Sequence, residues 1–178
     1  FISLCGLLMA NVATSQTLTE FIVHTPHGDP VGRGLDTTLV AGPDLRFTCD
    51  VNYYNGIQFE VRSSDQSYFW YVFLANATRT PLVPGEYNDC VRFPSGSDHT
   101  HHKLDVIGNG AGCNSLSGRF IIKELTWASE TEIATLWAIV EKSCEGRYPT
   151  LSVEIRYNLN LATPARTKSW GSLKTMYR

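Results

Sequence analysis

The chain has 178 residues, 43% of them hydrophobic and 18% charged, with a formal net charge of −2. That is enough for one domain with a real core and too apolar for a disordered chain. A near-neutral balance supplies no general field for nucleic acid or an anionic membrane, which makes nucleic-acid binding a poor fit.

Residues 1–15 read as a secretory signal peptide that lacks its start. Phe1 to Val12 is almost wholly apolar, no charge precedes Glu20, and the run ends in the small residues Ala13-Thr14-Ser15. It is too short to span a bilayer and has the form of an h-region followed by a cleavage site. The alternative is a buried N-terminal strand or helix. On the first reading Cys5 leaves with the signal, and the mature chain is secreted with four cysteines, Cys49, Cys90, Cys113 and Cys144. An even count in an exported chain predicts two disulfides with three possible pairings. There is no CxxC spacing to suggest a zinc site.

The elements follow in order. Leu18 to His24 predicts a strand, and the Gly- and Pro-rich run from Pro26 to Gly34 a turn cluster. Thr37 to Val40 is a short strand. Leu45, Phe47, Cys49, Val51 and Tyr53 alternate with polar residues, Asn55-Gly56 turns the chain, and Ile57, Phe59 and Val61 alternate again. This is the pattern of an antiparallel hairpin with one wet face. Tyr68 to Ala75 is apolar on both alternating sets, which predicts a central strand covered on both sides. Tyr87 to Phe93, Leu104 to Ile107 and Arg119 to Trp127 are further strands. Ser129 to Cys144 is ambiguous. Ile133, Leu136, Trp137 and Val140 have helical spacing and Ser129 with Glu132 could form a capping box, but both alternating sets also suit a buried strand. Thr150 to Asn158 alternates cleanly, with Leu151, Val153, Ile155 and Tyr157 on the buried face. From Leu159 onward the pattern is lost in a basic stretch, read as a tail or linker over 159–178. The whole predicts an all-β, antiparallel β-sandwich or jelly-roll-like domain over 16–158.

Several motifs in series resemble one family. They are Gly28-Asp29-Pro30-Val31-Gly32-Arg33-Gly34, Gly85-Glu86-Tyr87 through Arg92-Phe93-Pro94, Leu104 to Asn114 with Gly118-Arg119-Phe120, Cys144-Glu145-Gly146, and Ile155-Arg156-Tyr157-Asn158. Together they resemble an uncharacterised family of secreted, mostly bacterial β-sandwich domains, over about residues 20 to 158. The resemblance implies a fold and a location rather than a reaction. It pairs Cys113 with Cys144 and favours a strand for Glu132 to Ser143. Cys49 and Cys90 are additional to it and are expected as the second bridge. Ala111 stands where the family usually has Arg, and Ser143 where it usually has His.

The candidate sites are few. His99, His101 and His102 could contribute to a metal site, but neighbours on an extended chain point opposite ways, and a solvated loop is the plainer reading. The turn Gly108 to Asn114 could cradle an anion in a nest of amides, or simply be a tight connection needing positive φ. Glu60, Glu86, Asp89 and Glu154 lie on or near strands, without a pairing that marks glycosidase chemistry. No GxSxG elbow occurs. Among the aromatics, Trp70 and Trp137 are expected in the core, and Tyr53 and Tyr54, beside Asn55-Gly56, as exposed rings suited to stacking on sugars. Asn76-Ala77-Thr78 is a glycosylation sequon, relevant only in a eukaryotic host. No cofactor and no transmembrane segment is indicated. The expectation is a secreted, non-catalytic binding or structural module directed at a glycan or cell-surface ligand. The alternatives are an extracellular hydrolase with an unrecognised carboxylate site, and a structural module within a longer surface protein.

Overall fold

A computed structural model describes residues 16–94, 98–146 and 150–160. The signal peptide expected over 1–15 and residues 161–178 of the tail expected over 159–178 lie outside the described residues, whereas Leu159 and Asn160 belong to the last strand and not to a tail. Ten strands follow one another and the described residues hold no helix. They are β1 (Thr17–His24), β2 (Asp36–Val40), β3 (Leu45–Val51), β4 (Ile57–Ser63), β5 (Phe69–Ala75), β6 (Gly85–Arg92), β7 (Lys103–Gly108), β8 (Leu116–Ser129), β9 (Glu132–Cys144) and β10 (Leu151–Asn160).

Pairing runs β2-β1-β10-β9-β3-β4-β5-β7-β6-β8, and β8 pairs again with β9. Strands β9, β3, β4, β5, β7, β6 and β8 therefore form a closed circuit. Two of its joints are thin. A single pair, Asp50 with Glu132, joins β3 to β9, and two pairs join β6 to β7. The β6–β7 pair is parallel, so the sheet is mixed and not purely antiparallel as expected.

The interior is made by the inward halves of the alternating strands. Phe59 and Val61 of β4, Trp70, Val72 and Leu74 of β5, Phe120 of β8 and Leu136 and Val140 of β9 are all fully buried. Phe21 of β1 packs on Phe59 and Trp70 with centroids 5.7 Å apart in both cases, and Tyr157 of β10 meets Phe59 edge-on. Strands β1 and β10 are not hydrogen-bonded to β4 or β5, so these contacts join two layers across the core. Such layering is compatible with a sandwich.

The ambiguous segment is the strand β9, and the structure explains its misleading spacing. Thr135 pairs with Thr126 and Ile133 with Trp127, so Ala134 is an extra residue on the β9 side. A bulge of this kind reverses the in–out parity. It puts Ile133 and Leu136 on the same buried face, three apart, as a helix would.

The expected β3–β4 hairpin is present in the register Leu45 with Ser63 to Val51 with Ile57. Its turn spans Asn52 to Gly56 and is organised by buried Asn52. The Asn52 Oδ1 accepts the amides of Tyr54 and Gly56, and its Nδ2 donates to the carbonyls of Ile57 and Leu74.

The glycine turn is a tight connection. Asn109 and Gly110 have φ of 48° and 81°, and Gly108 and Ala111 exchange backbone hydrogen bonds of 3.0 and 2.9 Å. Gly108 lies on the Trp70 ring, where a Cβ would come within 2.8 Å of ring carbons. The turn leads to Cys113, which is bonded to Cys144 with Cα atoms 5.3 Å apart. This bridge closes the open end of the β8–β9 hairpin, where Leu116 pairs with Cys144. A cross-link of this loop length is worth about 2–4 kcal/mol. Glu145 latches the same corner by accepting the amides of Asn114 and Ser115.

Cys49 and Cys90 are buried free thiols, and the second disulfide does not form. They lie on β3 and β6, which are not neighbours by either route around the circuit. Burial pushes the Cys49 thiol well up and that of Cys90 up to about 12, so both behave as small apolar residues.

Candidate functional site

The strand β5 departs from its expectation in an informative way. Trp70, Val72 and Leu74 are fully buried, but Phe69, Tyr71 and Phe73, on the other face, are only partly covered. Being central in the sheet fixes both edges of β5; it does not cover both faces. The three outward rings run along the strand with neighbouring centroids 5.6 and 6.0 Å apart. Phe93 stacks on Phe73 at 5.1 Å but is buried, in a small second core with Tyr54 and Ala75, and Tyr53 lies 5.3 Å from it.

Tyr53 is 71% exposed. Tyr54 is not exposed as expected. It is 4% accessible, packs edge-on against Phe93, and lies beneath the Arg79 guanidinium at 3.9 Å. The two rings touch edge-on, with centroids 4.8 Å apart, and Tyr54 takes the covered side of the pair.

Register fixes what flanks the row. Phe69 pairs with Arg62 and Arg62 with Arg46; Tyr71 with Glu60 and Glu60 with Thr48; Phe73 with Gln58 and Gln58 with Asp50. Each ring thus has two polar neighbours beside it on the outer face of β4 and β3. Arg62 donates from Nε to Glu60 and from a terminal nitrogen to the Tyr71 hydroxyl, and its carbon centre lies 5.7 Å from both the Phe69 and Tyr71 rings. Between β3 and β4, Arg46, Thr48, Asp50, Glu60 and Arg62 line a cleft of about 230 Å³. Near Tyr53 in sequence, Asn55 joins Pro81, Trp127, Ser129 and Glu130 around a shallow groove of about 650 Å³.

The other sequence candidates fall elsewhere. His101 Nδ1 lies 2.9 Å from Asp98 Oδ2, whereas His102 Nδ1 accepts the Ala77 amide and its ring stands edge-on to Tyr87. No group of three or more His, Cys, Asp or Glu side chains among the described residues, His99 included, is placed to hold a metal ion. In the glycine turn the amides of Gly108, Asn109 and Ala111 donate to backbone carbonyls, and that of Asn114 to the Glu145 carboxylate. Asn76 uses its side-chain nitrogen on the Thr80 carbonyl and hydroxyl.

Ala111 and Ser143 do not share a site. Ala111 borders a small cavity beside Trp70 and Gly108, and Ser143 a surface depression with Asp89, Arg119 and Glu141. The candidate carboxylates do not meet either. Glu60 is held by Arg62, Glu154 by Arg156 and Trp137, and Glu86 and Asp89 lie on β6. Trp137 is only partly buried, on the outer face of β9, where its Nε1 donates to Glu154 at 2.8 Å.

One arrangement gave no sequence signal. Lys142, on the inward face of β9, is fully buried, and its Nζ donates to Cys113 Sγ and Cys144 Sγ at 2.8 and 3.1 Å. Burial brings this amine down to about 8, against the opposing pull of Asp29 and Asp105. Asp105 is buried too, and burial raises its carboxyl although Arg92 lies 3.5 Å away. Asp29, from the Gly-rich motif, accepts the amides of Val31 and Gly32 through Oδ2, and its buried Oδ1 has no hydrogen-bond partner. Nothing in linear spacing relates positions 29, 105 and 142; only the folded sheet does.

Among the described residues no helix is long and apolar enough to cross a membrane. Comparison of the chain with protein-family profiles, with curated proteins and with solved structures finds no match.

Proposed function

We propose that this protein is a secreted, non-catalytic carbohydrate-binding domain whose ligand lies along the outer face of β5. The observation that carries the reading is the outward row Phe69, Tyr71 and Phe73 on β5, with exposed Tyr53 beyond the buried ring of Phe93. The outer face of a one-side-buried antiparallel strand ordinarily carries polar residues, and an aromatic row there calls for a partner. Aromatic rings beside hydrogen-bonding side chains suit sugars, which present apolar ring faces and a rim of hydroxyls. Thr48, Gln58 and Glu60 supply such groups within reach of the row. The buried disulfide suits an oxidising, extracellular compartment.

A glycan array followed by affinity measurement on the best ligands tests this. Tyr71→Ala and Tyr53→Ala are each expected to weaken binding about tenfold, the equivalent of about 1.4 kcal/mol. Trp137→Ala, on a different face, is expected to leave affinity unchanged. Absence of binding to every glycan by folded wild-type protein counts against the reading.

A further inference from the structure

We infer that the glycan bound along β5 is anionic, and that Arg46 and Arg62 hold its acidic substituent. The inference rests on the carbohydrate-binding reading and names the class of ligand. Arg46 and Arg62 are direct cross-strand partners on β3 and β4. Partners so placed have Cα atoms about 4.5–5.5 Å apart, and like charges directly opposite one another destabilise a sheet. A fold that only needed a polar outer face would not set two guanidinium groups there.

The chain answers one of them. Arg62 is paired with Glu60 and anchored to the Tyr71 hydroxyl. Arg46 is exposed and has no ion-pair partner among the described residues. The two line the same cleft, and that cleft borders the row of rings where Arg62 meets Phe69. Fixed in place by Glu60 and Tyr71, Arg62 is already ordered and loses little freedom on binding. Arg46 completes a two-guanidinium clamp for a carboxylate or sulfate, to which such forks bind in bidentate fashion.

The opposite end of the cleft has the other sign. Asp50 pairs with Gln58 beside Phe73, four residues along β3 from Arg46. An acidic group is therefore attracted at the Phe69 end and repelled at the Phe73 end. This polarity orients the sugar chain along the row, and the hydroxyl-rich part falls near Asp50 and Gln58, which can accept and donate.

The test uses three probes with the full chain: an oligouronate, the same oligosaccharide after reduction of its carboxyls to neutral hexose, and a sulfated neutral oligosaccharide. The oligouronate or the sulfated sugar should bind at least about tenfold tighter than the neutral one, and the preference should shrink with added salt. Which of the two acidic probes binds tighter assigns the substituent as carboxylate or sulfate. Arg46→Gln should erase the preference for the acidic probes, and Arg46→Lys should keep part of it, since charge survives without the fork. Equal binding of neutral and acidic probes, or a preference that survives Arg46→Gln, overturns the inference and leaves the carbohydrate reading standing. Failure of all three probes to bind folded protein overturns the inference, and absence of binding across the glycan array overturns the carbohydrate reading as well.

Discussion

Two outer faces of this protein place an arginine against aromatic rings, and they differ in how completely the chain answers its own charges. On β9 and β10, Arg156 lies 5.8 Å from the Trp137 ring and donates to Glu154 and to Glu20, each at 2.7 Å, and Trp137 donates to Glu154 as well. One guanidinium has two carboxylates, and the indole N–H has one of the same. On β3 to β5 the ratio is reversed: two guanidinium groups face each other and one carboxylate, Glu60, pairs with one of them. The residue types are similar; the supply of partners is not. A closed set holds strands together, while an open set gains most from atoms that another molecule brings.

If partner supply and water access decide what a charge does, the most deeply buried cation should show the largest effect. That cation is Lys142. Its amine falls from an ordinary 10.5 to about 8 because burial outweighs the attraction of Asp29 and Asp105. Below about pH 8 both folded and unfolded states hold the proton, and the folded state bears the full penalty. Between about 8 and 10.5 the folded state has released the proton while the unfolded state still binds it, so stability rises with pH. The amplitude is about 3 kcal/mol. The raised thiol of Cys90 works the other way from about pH 9 upward, which makes the wild-type curve a composite. The difference between Lys142→Met and wild type isolates the lysine. Measured by urea unfolding from pH 7.5 to 10.5, the variant's stability relative to wild type should fall by about 3 kcal/mol. A difference that stays flat with pH would show that the amine is not desolvated.

The next effect belongs to the closed face. Arg156→Leu leaves Glu20 and Glu154 largely shielded from water and without their shared donor. Charge-assisted bonds of this kind are worth about 1.5–3 kcal/mol, and the loss should be about 2 kcal/mol because the guanidinium is still partly solvated. Glycan affinity should not change. A stability loss under 0.5 kcal/mol, or a weakened ligand, would remove the distinction between the faces. Trp137→Phe keeps most of the ring and removes the N–H to Glu154, and should cost about 1 kcal/mol in the same assay.

How much of this was legible in the sequence follows from what each feature depends on. Strands β3, β4 and β10 announce themselves through period-two alternation, because in–out parity is written residue by residue. Where parity broke, at the Ala134 bulge, Ile133 and Leu136 imitated a helix. The aromatic row was half legible. Tyr68 to Ala75 stood out as apolar on both sets, but alternation cannot say whether the second set meets a covering layer or solvent. Tyr53 and Tyr54 could not be told apart, since the separation is made by Asn52, whose four hydrogen bonds reach as far as Leu74. The expected Cys49–Cys90 bridge failed for a related reason: cysteine parity says nothing about which strands become neighbours. Lys142 was invisible because its environment is assembled from a loop and two distant strands.

The smallest effect is the sharpest test of the comparison. If Arg46 belongs to an open set, the fold derives nothing from its charge and suffers slightly from its position opposite Arg62. Arg46→Gln keeps a long polar side chain on β3 and removes the like-charge pair. Such pairs cost about 0.2–1 kcal/mol, with exposed sites at the lower end because water and salt screen them. The variant should therefore be as stable as wild type or more stable by about 0.2–0.5 kcal/mol, and the gain should fade as salt is raised. This is the opposite sign to Arg156→Leu for the loss of the same charged group from a neighbouring part of one sheet. A loss above 1 kcal/mol would mean that Arg46 is bonded into the fold, and would place β3 to β5 in the same class as β9 and β10.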